Sequence, residues 1–116
     1  MLYDDSRMTD TSVFDKSYYD RYYRDPATRV ATEESVQVLA DFVCNYLIHI
    51  GQPVEYVIDL GCGLGFWQNA IQNHFPAATY LGVEYSEYLC KSHGWKQGSA
   101  VNFKSRRKAD LVICQG

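Results

Sequence analysis

The sequence has no apolar run approaching the roughly 20 residues needed to cross a bilayer. It also lacks the basic start and apolar stretch of a secretory leader, because Asp4 and Asp5 interrupt the first residues. Both absences lead to the expectation of a soluble, cytoplasmic protein. None of its four cysteines, Cys44, Cys62, Cys90 and Cys114, forms a C-x-x-C pair. His49, His74 and His93 do not complete a ligand set either, so no structural metal is expected. Four reduced and mostly buried thiols are expected instead. A dominant charge is missing too: 11 basic against 14 acidic side chains leave a net charge of −3. That removes the electrostatic case for nucleic acid as a general partner. Proline is scarce, and each of the three, Pro26, Pro53 and Pro76, falls where a segment ends.

What is present suits one domain: 116 residues with 47% hydrophobic and 22% charged side chains. Tyrosine is abundant, and Tyr18, Tyr19, Tyr22 and Tyr23 crowd one stretch. Residues 1–30 read as a tyrosine-rich arm with a short helix around Phe14 to Tyr23, packed on the sheet in preference to forming a flap. Residues 31–116 read as the folded domain. A helix is expected from Glu33 to Ile50, capped by Thr32 and stopped by Gly51 and Pro53. Its apolar stripe is Val36, Leu39, Phe42, Val43, Tyr46, Leu47 and Ile50. The continuously apolar Tyr56-Val57-Ile58 indicates a strand covered on both faces. A helix from Phe66 to Phe75, a strand from Thr79 to Glu84, and a helix from Ser86 to about Ser92 follow. A weak strand at Trp95 to Gln97 and a clear one at Ala109 to Cys114 complete the pattern. Strands alternating with helices predict an α/β fold, a Rossmann-like doubly wound, mostly parallel sheet flanked by helices.

The chemistry is concentrated in Val57-Ile-Asp-Leu-Gly-Cys-Gly-Leu-Gly-Phe66. A strand enters a loop carrying Gly61, Gly63 and Gly65, and a helix starts at once. Glycine permits a positive φ and leaves bare backbone against which a ligand can lie. The helix N-terminus adds unpaired N–H groups. The second strand ends at Glu84, and neighbouring strand ends in a parallel sheet share one crevice. Glu84 could there accept hydrogen bonds from both hydroxyls of a ribose. The loop is G-x-G-x-G followed by Phe66 and Trp67, a poor match to the dinucleotide pattern G-x-G-x-x-G. Asp59 would repel a diphosphate but attract an ammonium group. Adenosine with a cationic amino-acid tail describes S-adenosylmethionine.

Val57-Ile-Asp-Leu-Gly-Cys-Gly-Leu-Gly65 resembles the first motif of class I S-adenosylmethionine-dependent methyltransferases. Leu81-Gly-Val-Glu-Tyr-Ser86 resembles the second, and Ala109-Asp-Leu-Val-Ile-Cys114 the fourth strand of that fold. The likeness covers roughly residues 33–116. It implies that Gly61, Cys62, Gly63 and Gly65 frame the methionine and ribose, and that Asp59 holds the ammonium group directly or through water. It further implies Glu84 on the ribose hydroxyls, Tyr85 beside the adenine, and Ser99 where the family often has an acid that reads the adenine amine. Members of that family continue beyond the fourth strand, so a sheet truncated there is expected, with an edge that could pair with a second copy.

No residue is assigned as a general base; the sulfonium's methyl is already electrophilic, and alignment is the protein's main task. The implied activity is methyl transfer to an acceptor that net acidity tilts towards a small molecule, with protein and RNA left open. A non-catalytic module binding S-adenosylmethionine or S-adenosylhomocysteine is the alternative, and a nicotinamide-dependent oxidoreductase is disfavoured. Lys104-Ser-Arg-Arg-Lys108 reads as a solvated basic loop.

Overall fold

Thr32 and Ser35 begin the first long helix by exchanging hydrogen bonds. In the computed structural model, which describes residues 15–19 and 32–115, Thr32 Oγ1 accepts from Ser35 N at 2.9 Å and Ser35 Oγ accepts from Thr32 N at 3.3 Å. Ahead of it a short helix, α1 (Lys16–Tyr19), falls inside the expected arm helix. Tyr22, Tyr23 and the side chains of Tyr18 and Tyr19 lie outside the described residues.

Helix α2 (Glu33–His49) has Glu33 and Glu34 in its first turn, where the helix dipole favours negative charge, and ends against Gly51 at φ 72°. Its packed face differs from the expected stripe. Val36, Ala40 and Cys44 are buried, with Val43 and Leu47 partly so, while Leu39, Phe42, Tyr46 and Ile50 are exposed, Phe42 at 69%. The reason is steric: the small Ala40 and Cys44 lie one turn apart and admit Ala70 and Ile71 of α3 (Phe66–His74) into the same cluster. His74 Nε2 and Asp41 Oδ1, 2.8 Å apart, tie the two helices together, and Gln37 also donates to Asp41.

Strands β1 (Tyr56–Leu60), β2 (Thr79–Glu84), β3 (Lys96–Gln97) and β4 (Leu111–Ile113) form one parallel sheet in the order β3-β2-β1-β4. Val57, Ile58 and Asp59 are all buried, as a strand covered on two faces requires. β1 lies in register with β2 from Tyr56↔Thr79 to Leu60↔Val83, and with β4 from Val57↔Leu111 to Asp59↔Ile113. β4 is shorter than expected at both ends, although Asp110 N still donates to Tyr56 O at 2.9 Å. The Asp110 carboxylate also accepts from the Glu55 and Tyr56 amides at 2.7 and 3.0 Å, fastening the start of β1. Arg107 of the basic loop lies over the Tyr56 ring, 4.6 Å from its centroid.

Helix α4 (Glu87–His93) is capped by Ser86 Oγ, which accepts from Leu89 N, and closed by Gly94 at φ 74°. The connections β1–α3–β2 and β2–α4–β3 step the same way across the sheet, so right-handed crossovers put both helices on one face. The connection to β4 then reverses direction and crosses the other face. Among the described residues that crossing, 98–110, contains no helix. Gly98 runs close to Val83, with Phe103 beside it, and Val112 on the same face is 54% exposed. Of the thiols, Cys44 and Cys62 are buried, Cys90 is intermediate and Cys114 exposed, and none is in a disulfide. No described helix is long and apolar enough to cross a membrane.

Candidate functional site

The strand order reverses between β1 and β4, and the carboxyl ends of strands at such a switch point are where open α/β sheets take ligands. The loop Gly61–Gly65 lies there. The Gly61 and Cys62 amides both donate to Val83 O, at 2.8 and 3.1 Å, so the loop doubles back over the end of β2. Gly61, Gly63 and Gly65 all have positive φ, at 70°, 57° and 77°. A Cβ on Gly61 or Gly63 would meet nothing within 4 Å, so this part of the loop shows bare backbone to open space. Gly65 is different: a Cβ there would stand 2.5 Å from the Trp95 ring. It is also the N-cap of α3, and no side chain caps that helix. The first-turn N–H groups thereby keep their capacity to bind a ligand.

Glu84, at the end of β2, faces the loop. Its carboxylate is only 6% exposed; Oε1 accepts from Gly63 N at 3.0 Å and Oε2 from Ser86 N at 2.6 Å. One acid at the end of β2 therefore holds the glycine loop and the start of α4 together. A carboxylate has about four acceptor positions, so two backbone donors leave capacity for further hydroxyls.

Asp59, at 3% exposure, lies beneath the loop, and its Oδ2 accepts from Tyr80 OH at 2.6 Å. Burial is the largest influence on its carboxyl and raises it to about 6; the Tyr80 hydrogen bond opposes that, and the Glu84 charge adds to it. Burial likewise drives the Tyr80 hydroxyl and the Cys62 thiol upward, keeping both neutral. Cys62 is thus an apolar wall and not a nucleophile.

Of the residues singled out in the sequence, the structure gathers Asp59, Gly61, Cys62, Gly63, Gly65 and Glu84 around one loop. Tyr85 follows directly, half-buried, its carbonyl accepting from Gln97 Nε2. Ser99 stands just past β3, where its hydroxyl accepts from Val101 N at 3.1 Å. Sequence reasoning missed the parts played by Tyr80 and Trp95, and Ser86, expected as a helix cap, also donates its N–H to Glu84. Trp95 Nε1 donates to Gly63 O at 3.0 Å, its ring edge meets Tyr80, and His93 stacks on it. An isolated glycine in the strand TYLGVE was the available signal, since Gly82 there marks a close approach by another group. A Cβ on Gly82 would lie 2.6 Å from Trp95 Cε3. His74 did have an acidic partner, Asp41, but the pair is on the helical layer and not in the loop cluster.

No protein-family model and no curated protein matches the sequence. Solved structures do match the fold, which is that of class I S-adenosylmethionine-dependent methyltransferases. One is the plantazolicin methyltransferase BpumL in complex with a pentazolic desmethylPZN analog and SAH, with a TM-score of 0.57 and 20% identity over 94% of this chain. Another is an S-adenosylmethionine-dependent methyltransferase from Clostridium acetobutylicum ATCC 824, with a TM-score of 0.52 and 19% identity over 83% of this chain. In both cases the chain spans about 40% of the length of the matched protein.

Proposed function

We infer that the chain is the S-adenosylmethionine-binding part of a methyltransferase. The observation that carries this reading is the direct link between Gly63 N and the Glu84 carboxylate, which joins the glycine loop and the strand-end acid in one site. The residues fit the cofactor. Gly61 and Gly63 offer unobstructed backbone, Glu84 retains acceptor capacity for two ribose hydroxyls, and Asp59 supplies the negative charge that an ammonium group requires. Tyr85 follows β2 and Ser99 lies two residues past β3, and we assign them to the adenine. When bound, the cofactor supplies an electrophilic methyl on a sulfonium. The chain's part is to orient the donor, shield it from water, and present the Asp59 carboxylate to the ammonium.

The acceptor we propose is a small molecule. The net charge of −3 supports that over nucleic acid. The BpumL structures, which hold desmethylPZN analogs with SAH, offer a fold-level parallel. Unpaired thiols fit a cytoplasmic setting. The test is to supply S-adenosylmethionine carrying a tritiated methyl to the protein as its gene encodes it, together with a cell extract. Label in the low-molecular-mass fraction is expected. Label confined to protein or RNA would overturn the small-acceptor reading, and binding without any transfer would leave a cofactor-binding module.

A further inference from the structure

Trp95, between α4 and β3, fills the space under two glycines. A Cβ on Gly65 would stand 2.5 Å from its Cζ2 and one on Gly82 2.6 Å from its Cε3, so neither position admits a side chain while the indole is there. The ring is held in turn, stacked on His93 at 5.6 Å and 8° and meeting Tyr80 edge-on at 6.0 Å. Its N–H donates to the Gly63 carbonyl at 3.0 Å.

Gly63 is consequently fixed from both sides. Glu84 Oε1 holds its N–H and Trp95 holds its C=O, so the two peptide planes flanking a residue at φ 57° are both anchored. Glycine would otherwise leave this turn free to move. Because a trans peptide is planar, anchoring the Gly63 carbonyl also aims the Leu64 N–H, which points away from the indole.

We propose that Trp95 is a positioning residue that sets the Gly61–Gly65 loop in its binding form, and that Gly65 and Gly82 are glycines to admit its indole. The loop's role as a cofactor site rests on the reading given above. Two of the glycines at the site thereby serve a side chain beneath the loop, while Gly61 and Gly63 face open space.

The test is calorimetric titration of Trp95→Phe with S-adenosylhomocysteine, alongside amide spectra of protein labelled with ¹⁵N-glycine. Phenylalanine keeps an aromatic ring against the glycines but has no N–H for the Gly63 carbonyl. Affinity should fall about three- to tenfold. The Gly61, Gly63 and Gly65 amides, all hydrogen-bonded in the ordered loop, should exchange with solvent faster while that of Gly51 is unchanged. A residue that merely filled space would lower the melting temperature and leave both the dissociation constant and the loop's exchange protection relative to Gly51 unchanged, which would overturn the proposal. Should Trp95→Phe fail to fold, Gly82→Ala displaces the indole from the β2 side and is expected to give the same two signatures. If the unaltered chain binds no S-adenosylhomocysteine, the cofactor reading fails, and the loop's exchange protection in the variant still decides the role of Trp95.

Discussion

Lowering the pH from 7.5 to 5 should weaken S-adenosylmethionine binding about tenfold. Asp59 is buried beneath the loop, and burial raises its carboxyl to about 6. If the ionised form receives the ammonium, the competent fraction falls about fivefold from pH 6 to 5 and approaches tenfold per unit only below that. With a pKa of about 6 the competent fraction is roughly one in eleven at pH 5 and nearly complete at pH 7.5. The Asp59 contribution to folding stability should move in the opposite direction. A carboxyl whose folded pKa lies above its unfolded value binds a proton more tightly in the native chain, so stability falls as pH rises between about 4 and 6. The penalty is absent below the unfolded value of 3.8 and complete above about 6, where it reaches about 3 kcal/mol. Titration calorimetry at pH 5, 6 and 7.5, repeated at pH 6 in buffers of different ionisation enthalpy, reads both affinity and proton release. Urea unfolding over the same range reads stability. Equal affinity at pH 5 and 7.5, with no proton released at pH 6, would refute the role given to Asp59.

Glu84→Ala should weaken cofactor binding ten- to a hundredfold, and should also destabilise the free chain by about 2–4 kcal/mol, because the Gly63 and Ser86 amides lose a charged acceptor. Calorimetry and chemical unfolding separate the two effects, and an unchanged dissociation constant would remove Glu84 from the site. Gly82→Ala should cost about 1–3 kcal/mol by forcing its Cβ against Trp95 and the Cys62 sulfur, seen as a lower midpoint of urea unfolding. Phe42→Lys, on the outward face of α2, should change stability by no more than about 0.5 kcal/mol. If that face and the β4 edge mediate self-association, the same variant should lower the apparent mass in sedimentation.

Local chemistry made much of this fold readable in the sequence. Thr32, Ser86, Gly51, Gly94 and Pro76 act within a turn of their own position, so the helix ends they define are found within a residue or two. Strand β2 is found to the residue, because its apolar run is bounded by Ala78 and the Tyr85-Ser86 turn. The packed face of α2 was misjudged because hydrophobicity favours large side chains. Ala40 and Cys44 matter here through their small size, a property that depends on α3 lying against them. β4 is shorter than its apolar run suggests, and the carboxylate of Asp110 just ahead of it serves the start of β1, 54 and 55 residues away in sequence. The site divides in the same way. Asp59, Gly61, Gly63 and Glu84 are legible from strand–loop–helix order. Tyr80 under Asp59 and Trp95 under Gly63 come together only when β2 and the α4–β3 turn are folded against the loop.

The most direct test of the central claim is a calorimetric titration of the chain with S-adenosylmethionine, S-adenosylhomocysteine and NAD, with its mass in solution recorded alongside. Micromolar binding of the first two and none of the third is the predicted result. A folded chain that binds NAD, or that binds none of the three, would contradict it.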